Sequence, residues 1–109
     1  MSGEPLAENA LLIAGHVLET AQIRYSPAGL PIARFSLEHR SRQMEAGIER
    51  EARCRIPVLA CGEALVRRVR LLSAGAPVRV EGFLARSDHR QGEARLVLHT
   101  QHIELLENP

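Results

Sequence analysis

The chain has 109 residues, enough for one domain and too few for two. Apolar residues make up 45% of it and the formal net charge is +1, an ordinary globular composition with no whole-molecule field to draw a polyanion. One Tyr, two Phe and no Trp leave little to line a deep substrate pocket, and no Ser or Cys stands beside an identifiable activating base, so the reading is of a binding protein and not an enzyme.

Residues 1–9 are polar and acidic and read as a flexible arm, and residues 10–107 read as a single domain. Met1-Ser2-Gly3-Glu4-Pro5 has neither a basic n-region nor an apolar run. No signal peptide or membrane span is expected, and the cytoplasm is the expected location.

Ala10 to Leu18 reads as a first strand. Leu11, Ile13, Gly15 and Val17 share one face, and Leu12, Ala14, His16 and Leu18 the other. Both faces are largely apolar, so both are expected to be covered, one by the domain's own core and the other by a second subunit. Glu19 to Tyr25 extends this strand after a bend, and Ser26-Pro27-Ala28-Gly29 supplies turn chemistry.

Ile32 to Arg40 alternates cleanly as a second strand, with Ala33, Phe35 and Leu37 inward and Arg34, Ser36, Glu38 and Arg40 outward. Ser41 to Arg50 is polar with Gly47 near its tip and reads as a long loop. Glu51 to Cys61 is a third strand. Ala52, Cys54, Ile56, Val58 and Ala60 form its inward set, Arg53 and Arg55 point out, and Pro57 marks a bulge or an unpaired stretch.

Glu63 to Leu72 reads as a short helix, with Leu65, Val69 and Leu72 on one face. Val78 to Arg86 is a fourth strand with Val78, Val80, Gly82 and Leu84 inward. Ser87 to Gly92 is a polar turn, and Glu93 to Leu106 a fifth strand with Leu96, Leu98 and Ile103 inward. The fold class is therefore all-β. Five strands with a short helix between the third and fourth is the element order of an OB-fold barrel. A five-stranded SH3-like barrel is the alternative, which the helix position and strand lengths disfavour.

Cys54 and Cys61 stand seven apart, roughly 23 Å along a strand and too far to bridge, and read as buried free thiols in a reducing compartment. His99 and His102 are three apart, a chelating spacing on a helix that points to opposite faces of a strand. With no further ligand spacing in the chain, no metal site and no cofactor are expected.

The charge is unevenly placed. From Arg34 to Arg70 nine Arg stand against five Glu, a local +4 inside a chain of +1. All fourteen basic residues are Arg. Arg-favouring codon usage explains most of this bias, though a guanidinium also grips phosphate bidentately and stacks on flat rings. Alternation puts Arg34, Arg40, Arg53 and Arg55 on one solvent face of adjacent strands, where an OB barrel carries its single-strand groove. The competing reading is a solvated sheet face with Glu38 and Glu51 as ion-pair partners.

These residues resemble the family of primosomal replication protein N, single-barrel relatives of bacterial single-stranded DNA-binding protein. The resemblance runs from about Asn9 to Leu106. It is carried by Ser26-Pro27-Ala28-Gly29-Leu30-Pro31, Phe35-Ser36-Leu37-Glu38-His39-Arg40-Ser41, Glu45-Ala46-Gly47, Pro57-Val58, Val80-Glu81-Gly82-Phe83-Leu84, Val97-Leu98-His99 and Gln101-His102-Ile103-Glu104-Leu105. It implies a homodimer that binds single-stranded DNA and serves replication restart, stabilising the primosomal helicase on DNA and helping to recruit the next loading protein. Arg24, Arg40, Arg50, Arg90 and Arg95 match basic positions of the family. Ile48 and Arg53 stand where the family's DNA face can carry aromatic rings, and Asp88 where it can carry a lysine. These departures imply weaker DNA binding, and leave open a second reading as mainly a protein–protein adaptor. Leu12, Ala14 and Leu18 are the expected dimer contacts.

Overall fold

The computed structural model describes residues 3, 6–88 and 94–107. The elements in chain order are β1 (Leu11–Val17), β2 (Gln22–Tyr25), β3 (Pro31–Glu45), β4 (Ile48–Cys61), α1 (Glu63–Val69), β5 (Pro77–Asp88) and β6 (Ala94–Leu105). The sheet runs β1-β5-β6-β4-β3-β2, and a further β1–β3 pairing closes it. β1 and β2 are the two halves of one bent strand, so the closed object is a five-stranded OB barrel. All pairings are antiparallel except β4 with β6, at Val58↔Leu98 and Leu59↔His99.

The core is the one alternation requires. Ala33, Phe35 and Leu37 of β3 meet Val58 and Ala60 of β4, Val78 and Val80 of β5, and Leu98 and Ile103 of β6. Helix α1 closes one end with Val66 and Val69, followed by the buried Leu72. Val66 falls outside the expected helix face but stands three residues before Val69 and widens the same apolar stripe. At the chain's start, the Asn9 side chain pairs with the Leu84 backbone in both directions, at 2.8 and 2.9 Å.

Two glycines permit closure. A Cβ on Gly15 would lie 2.3 Å from the Glu38 carbonyl oxygen, where β1 crosses β3. A Cβ on Gly82 would lie 1.8 Å from the His99 carbonyl oxygen. At this second point Glu81 pairs with His102 while Gly82 pairs with Thr100, leaving Gln101 as a bulge in β6.

That bulge explains one expectation and corrects another. It restores the inward phase, so that Leu98 and Ile103 both reach the core despite their odd separation. It also sets His99 and His102 on one face, beside their partners Phe83 and Glu81. There the His99 ring stacks on Phe83, centroids 5.0 Å apart. Leu96, expected inward, is 63% exposed: it shares the phase of Leu98 but lies past the covered part of the strand.

The expected loop at 41–50 is instead a two-stranded ribbon. β3 and β4 pair without interruption from Ile32↔Cys61 to Glu45↔Ile48. Only Ala46 and Gly47 turn the chain, both with positive φ (52° and 77°), the backbone of a tight hairpin. Beyond Ser41 and Ala52 every ribbon residue is exposed, so no apolar face marks its alternation. The same departure from the barrel explains Cys54. It has the phase of Ile56 and Val58, yet nothing covers it, and it is exposed. Cys61 is exposed on the opposite phase. The two thiols are therefore free, as expected, but not buried.

Where the ribbon leaves the barrel, His39 ties it to β1. Its Nδ1–H donates to the Ala14 carbonyl at 2.6 Å, and Nε2 meets the Ser41 hydroxyl at 2.7 Å.

Candidate nucleic-acid interface

Cross-strand partners in an antiparallel ladder share a face. The register Gln22↔Arg34, Glu38↔Arg55, Arg40↔Arg53 and Arg42↔Glu51 therefore puts Arg24, Arg34, Arg40, Arg42, Arg53 and Arg55 on one outer face of β2, β3 and β4. All six arginines are exposed. From Arg34 to Arg42 the row spans about 26 Å of strand.

At its centre Arg40 and Arg53 stand directly opposite one another. Like charges in register destabilise a sheet. Carboxylates flank them: Glu51 accepts Arg40 Nε at 2.6 Å, and Glu38 accepts Arg55 Nε at 3.0 Å. Toward the tip, Arg42 pairs with Glu49 at 2.7 Å. Among the described residues, Arg24, Arg34 and Arg53 of the row have no ion-pair partner. The face therefore combines both sequence readings, an arginine row and a set of Glu partners within it.

At the barrel end of the row Arg34 and Arg95 line one cavity of about 280 Å³. Gln22, Ser36 and Ser87 add polar groups to its wall, and Phe35, Pro57, Val58 and Val97 supply apolar surface. The opening exists because the β4–β6 ladder begins only at Val58, the residue after Pro57, which has no N–H to donate. Glu19 also lines it, with its carboxylate accepting the Ser36 N–H at 2.8 Å.

Of the site residues expected from sequence, Arg24, Arg34, Arg40, Arg53, Arg55 and Arg95 come together along this surface. Arg50 does not. It partners Gln43, on the reverse side of the ribbon, where it pairs with Glu45. Strand alternation puts it there, a phase that a loop assignment hides. Ile48 also faces the reverse side, opposite Glu45. Arg90 lies outside the described residues. Arg42 was missed because it fell in the expected loop. Tyr25, the exposed aromatic ring, is out of phase with Arg24, and its hydroxyl accepts a hydrogen bond from Arg70 at 3.0 Å, on the α1 side.

Residues 9–102 match a family model described as another single-strand binding protein family. The replication restart protein PriB of Proteus mirabilis (strain HI4320) is 39% identical over 103 residues, covering 94% of this chain and 98% of that protein. The chain belongs to the PriB family of replication restart proteins. Among solved structures, PriB of Ralstonia solanacearum superposes with a TM-score of 0.78 at 28% identity, covering 93% of this chain and 100% of that one. The wild-type single-stranded DNA binding protein of Thermus aquaticus gives a TM-score of 0.76 at 25% identity, over 92% of this chain and 50% of that one. The family assignment agrees with the resemblance carried by the sequence motifs, and the OB fold is common to all three.

The expected dimer surface lies elsewhere on the barrel. Leu12 and Ala14 share the outer face of β1 and β5 with Glu81 and Arg79. Leu12 is 61% exposed, and Ala14 and Leu18 are half-buried. Among the described residues no group of three His, Cys, Asp or Glu side chains comes together to hold a metal ion. No helix among them is long and apolar enough to cross a membrane.

Proposed function

We propose that the chain binds single-stranded DNA along the β2–β3–β4 arginine row and serves in replication restart, acting with the primosomal helicase and a further loading protein. The observation that carries this is the in-register Arg40–Arg53 pair, two exposed like charges side by side and a good seat for a phosphodiester. Arg24 and Arg34 extend the seat toward the barrel, with Arg95 across the cavity. The names of its relatives and the single-strand binding family model support the same reading.

No aromatic side chain lies on the row, so binding rests on phosphate contacts and not on stacking. Anisotropy of a labelled single-stranded oligonucleotide is expected to show modest affinity that falls steeply between low and moderate salt. Binding that is tight and indifferent to salt would show the electrostatic account to be wrong. The ion pairs within the row favour a second reading, in which DNA contact is weak and the domain works mainly as an adaptor between primosome proteins. Helicase capture lost on mutation of the row, with DNA binding already negligible in the unaltered protein, would support that one.

The exposed Leu12 beside Ala14 and Leu18 supports a homodimer joined through the outer face of β1. Leu12→Asp is expected to shift the protein to monomer in sedimentation velocity without changing its far-ultraviolet circular dichroism. An unchanged sedimentation coefficient would place the contact elsewhere.

A further inference from the structure

We propose that Glu38 and Glu51 act as internal competitors for the phosphate seat, occupying arginines that single-stranded DNA must take over in order to bind. This rests on the reading of the row as the DNA surface and specifies how that surface is regulated.

Each carboxylate is placed among cations. Glu51 is the cross-strand partner of Arg42, precedes Arg53 by two residues on the same face, and binds Arg40 Nε at 2.6 Å. Glu38 is the cross-strand partner of Arg55, precedes Arg40 by two, and binds Arg55 Nε at 3.0 Å. The two acids therefore bracket the Arg40–Arg53 pair from either side. A carboxylate offers two oxygens, much as a phosphodiester does, and each here takes a guanidinium that a phosphate would use.

The pairs are also easy to exchange. Side-chain exposure is 64% and 48% for Arg40 and Glu51, and 71% and 39% for Arg55 and Glu38. Solvated pairs of this kind are worth little to the fold. A displaced Glu cannot leave, however. It stays on the same strand within a Debye length of the incoming phosphate and repels it. The two acids thus lower affinity, most strongly at low salt, and do so without holding the fold together.

The test uses the full chain and a fluorescein-labelled oligothymidylate. Glu51→Gln and Glu38→Gln are each expected to tighten binding about two- to fivefold at low salt, and the double variant about tenfold, since exposed charge pairs contribute up to about 1 kcal/mol. Glu104→Gln is the control. It removes a comparable exposed carboxylate, paired with Arg79 at 3.2 Å on β5 and β6, outside the row. It is expected to change affinity less than twofold.

Unchanged or weaker binding by the two row variants, with the unaltered protein binding normally, overturns the proposal. So does an equal gain from Glu104→Gln, which would mean a general charge effect. Binding by the double variant where the unaltered protein shows none supports it. If neither binds at any salt, the DNA reading itself fails and this inference with it.

Discussion

Gly82→Ala is expected to destabilise the barrel by about 3 kcal/mol or more, a large share of what a domain of this size has. The added methyl would sit 1.8 Å from the His99 carbonyl oxygen, which belongs to the backbone of the partner strand and cannot swing aside. Relief requires β5 and β6 to part at the bulge that brings both Leu98 and Ile103 into the core. Moving that junction loosens the packing of two buried side chains, beyond the local clash. The thermal midpoint is expected to fall by more than about 10 °C. Gly29→Ala is the comparison. Its φ of +86° is strained for alanine, but nothing lies within 4 Å of the new Cβ. It is expected to cost only about 1 kcal/mol. Equal midpoints for the two variants would refute the close-contact argument.

The second large effect is on binding. The Arg40→Ala, Arg53→Ala double variant is expected to lose about tenfold or more in single-stranded DNA affinity at low salt. Its log–log salt slope should flatten by about 1.4, the share of two phosphate contacts on a single strand. Stability should move the other way or not at all. Arg53 faces Arg40 in register, so Arg53→Ala alone removes a repulsion and is expected to raise stability by a few tenths of a kcal/mol. Weaker binding together with an unchanged or higher melting midpoint separates a binding role from a structural one. A slope equal to that of the unaltered protein would remove these two arginines from the interface.

Much of the barrel was legible because its strands bury one face. Ala33, Phe35 and Leu37 alternate with Arg34, Ser36 and Glu38, and that pattern alone puts the arginines outside. The alternation of Val78 and Val80 marks β5 in the same way. The reading failed where one-sided burial stops. From Arg42 to Glu51 both faces of the ribbon are wet, so a period of two leaves no trace in hydropathy, and the hairpin reads as a loop. The reverse-side position of Arg50 and the place of Arg42 in the row were both hidden for that one reason. Cys54 keeps the inward phase but lies beyond the end of the core, which periodicity cannot locate. The bulge at Gln101 was hidden because a single inserted residue shifts the phase without altering composition. The Glu partners of the row were visible as candidates, but only the register shows that Glu51 and Glu38 bracket the central arginine pair.

The ribbon beyond His39 and Cys54 is held by its backbone ladder, with no core beneath and only exposed ion pairs across it. Its amide hydrogen bonds are expected to open while those of Leu37 and Val58 stay shut, which would give the molecule two tiers of stability. The less stable tier carries Arg42 and the central Arg40–Arg53 pair itself. A strand of DNA laid across it would bind a surface that stiffens as it is covered, and part of the favourable enthalpy of contact would be offset by entropy lost in the arm. On the proposed reading, a shortened ribbon would forgo contacts at its tip and also escape that ordering cost, so arm length would set affinity through two opposed terms.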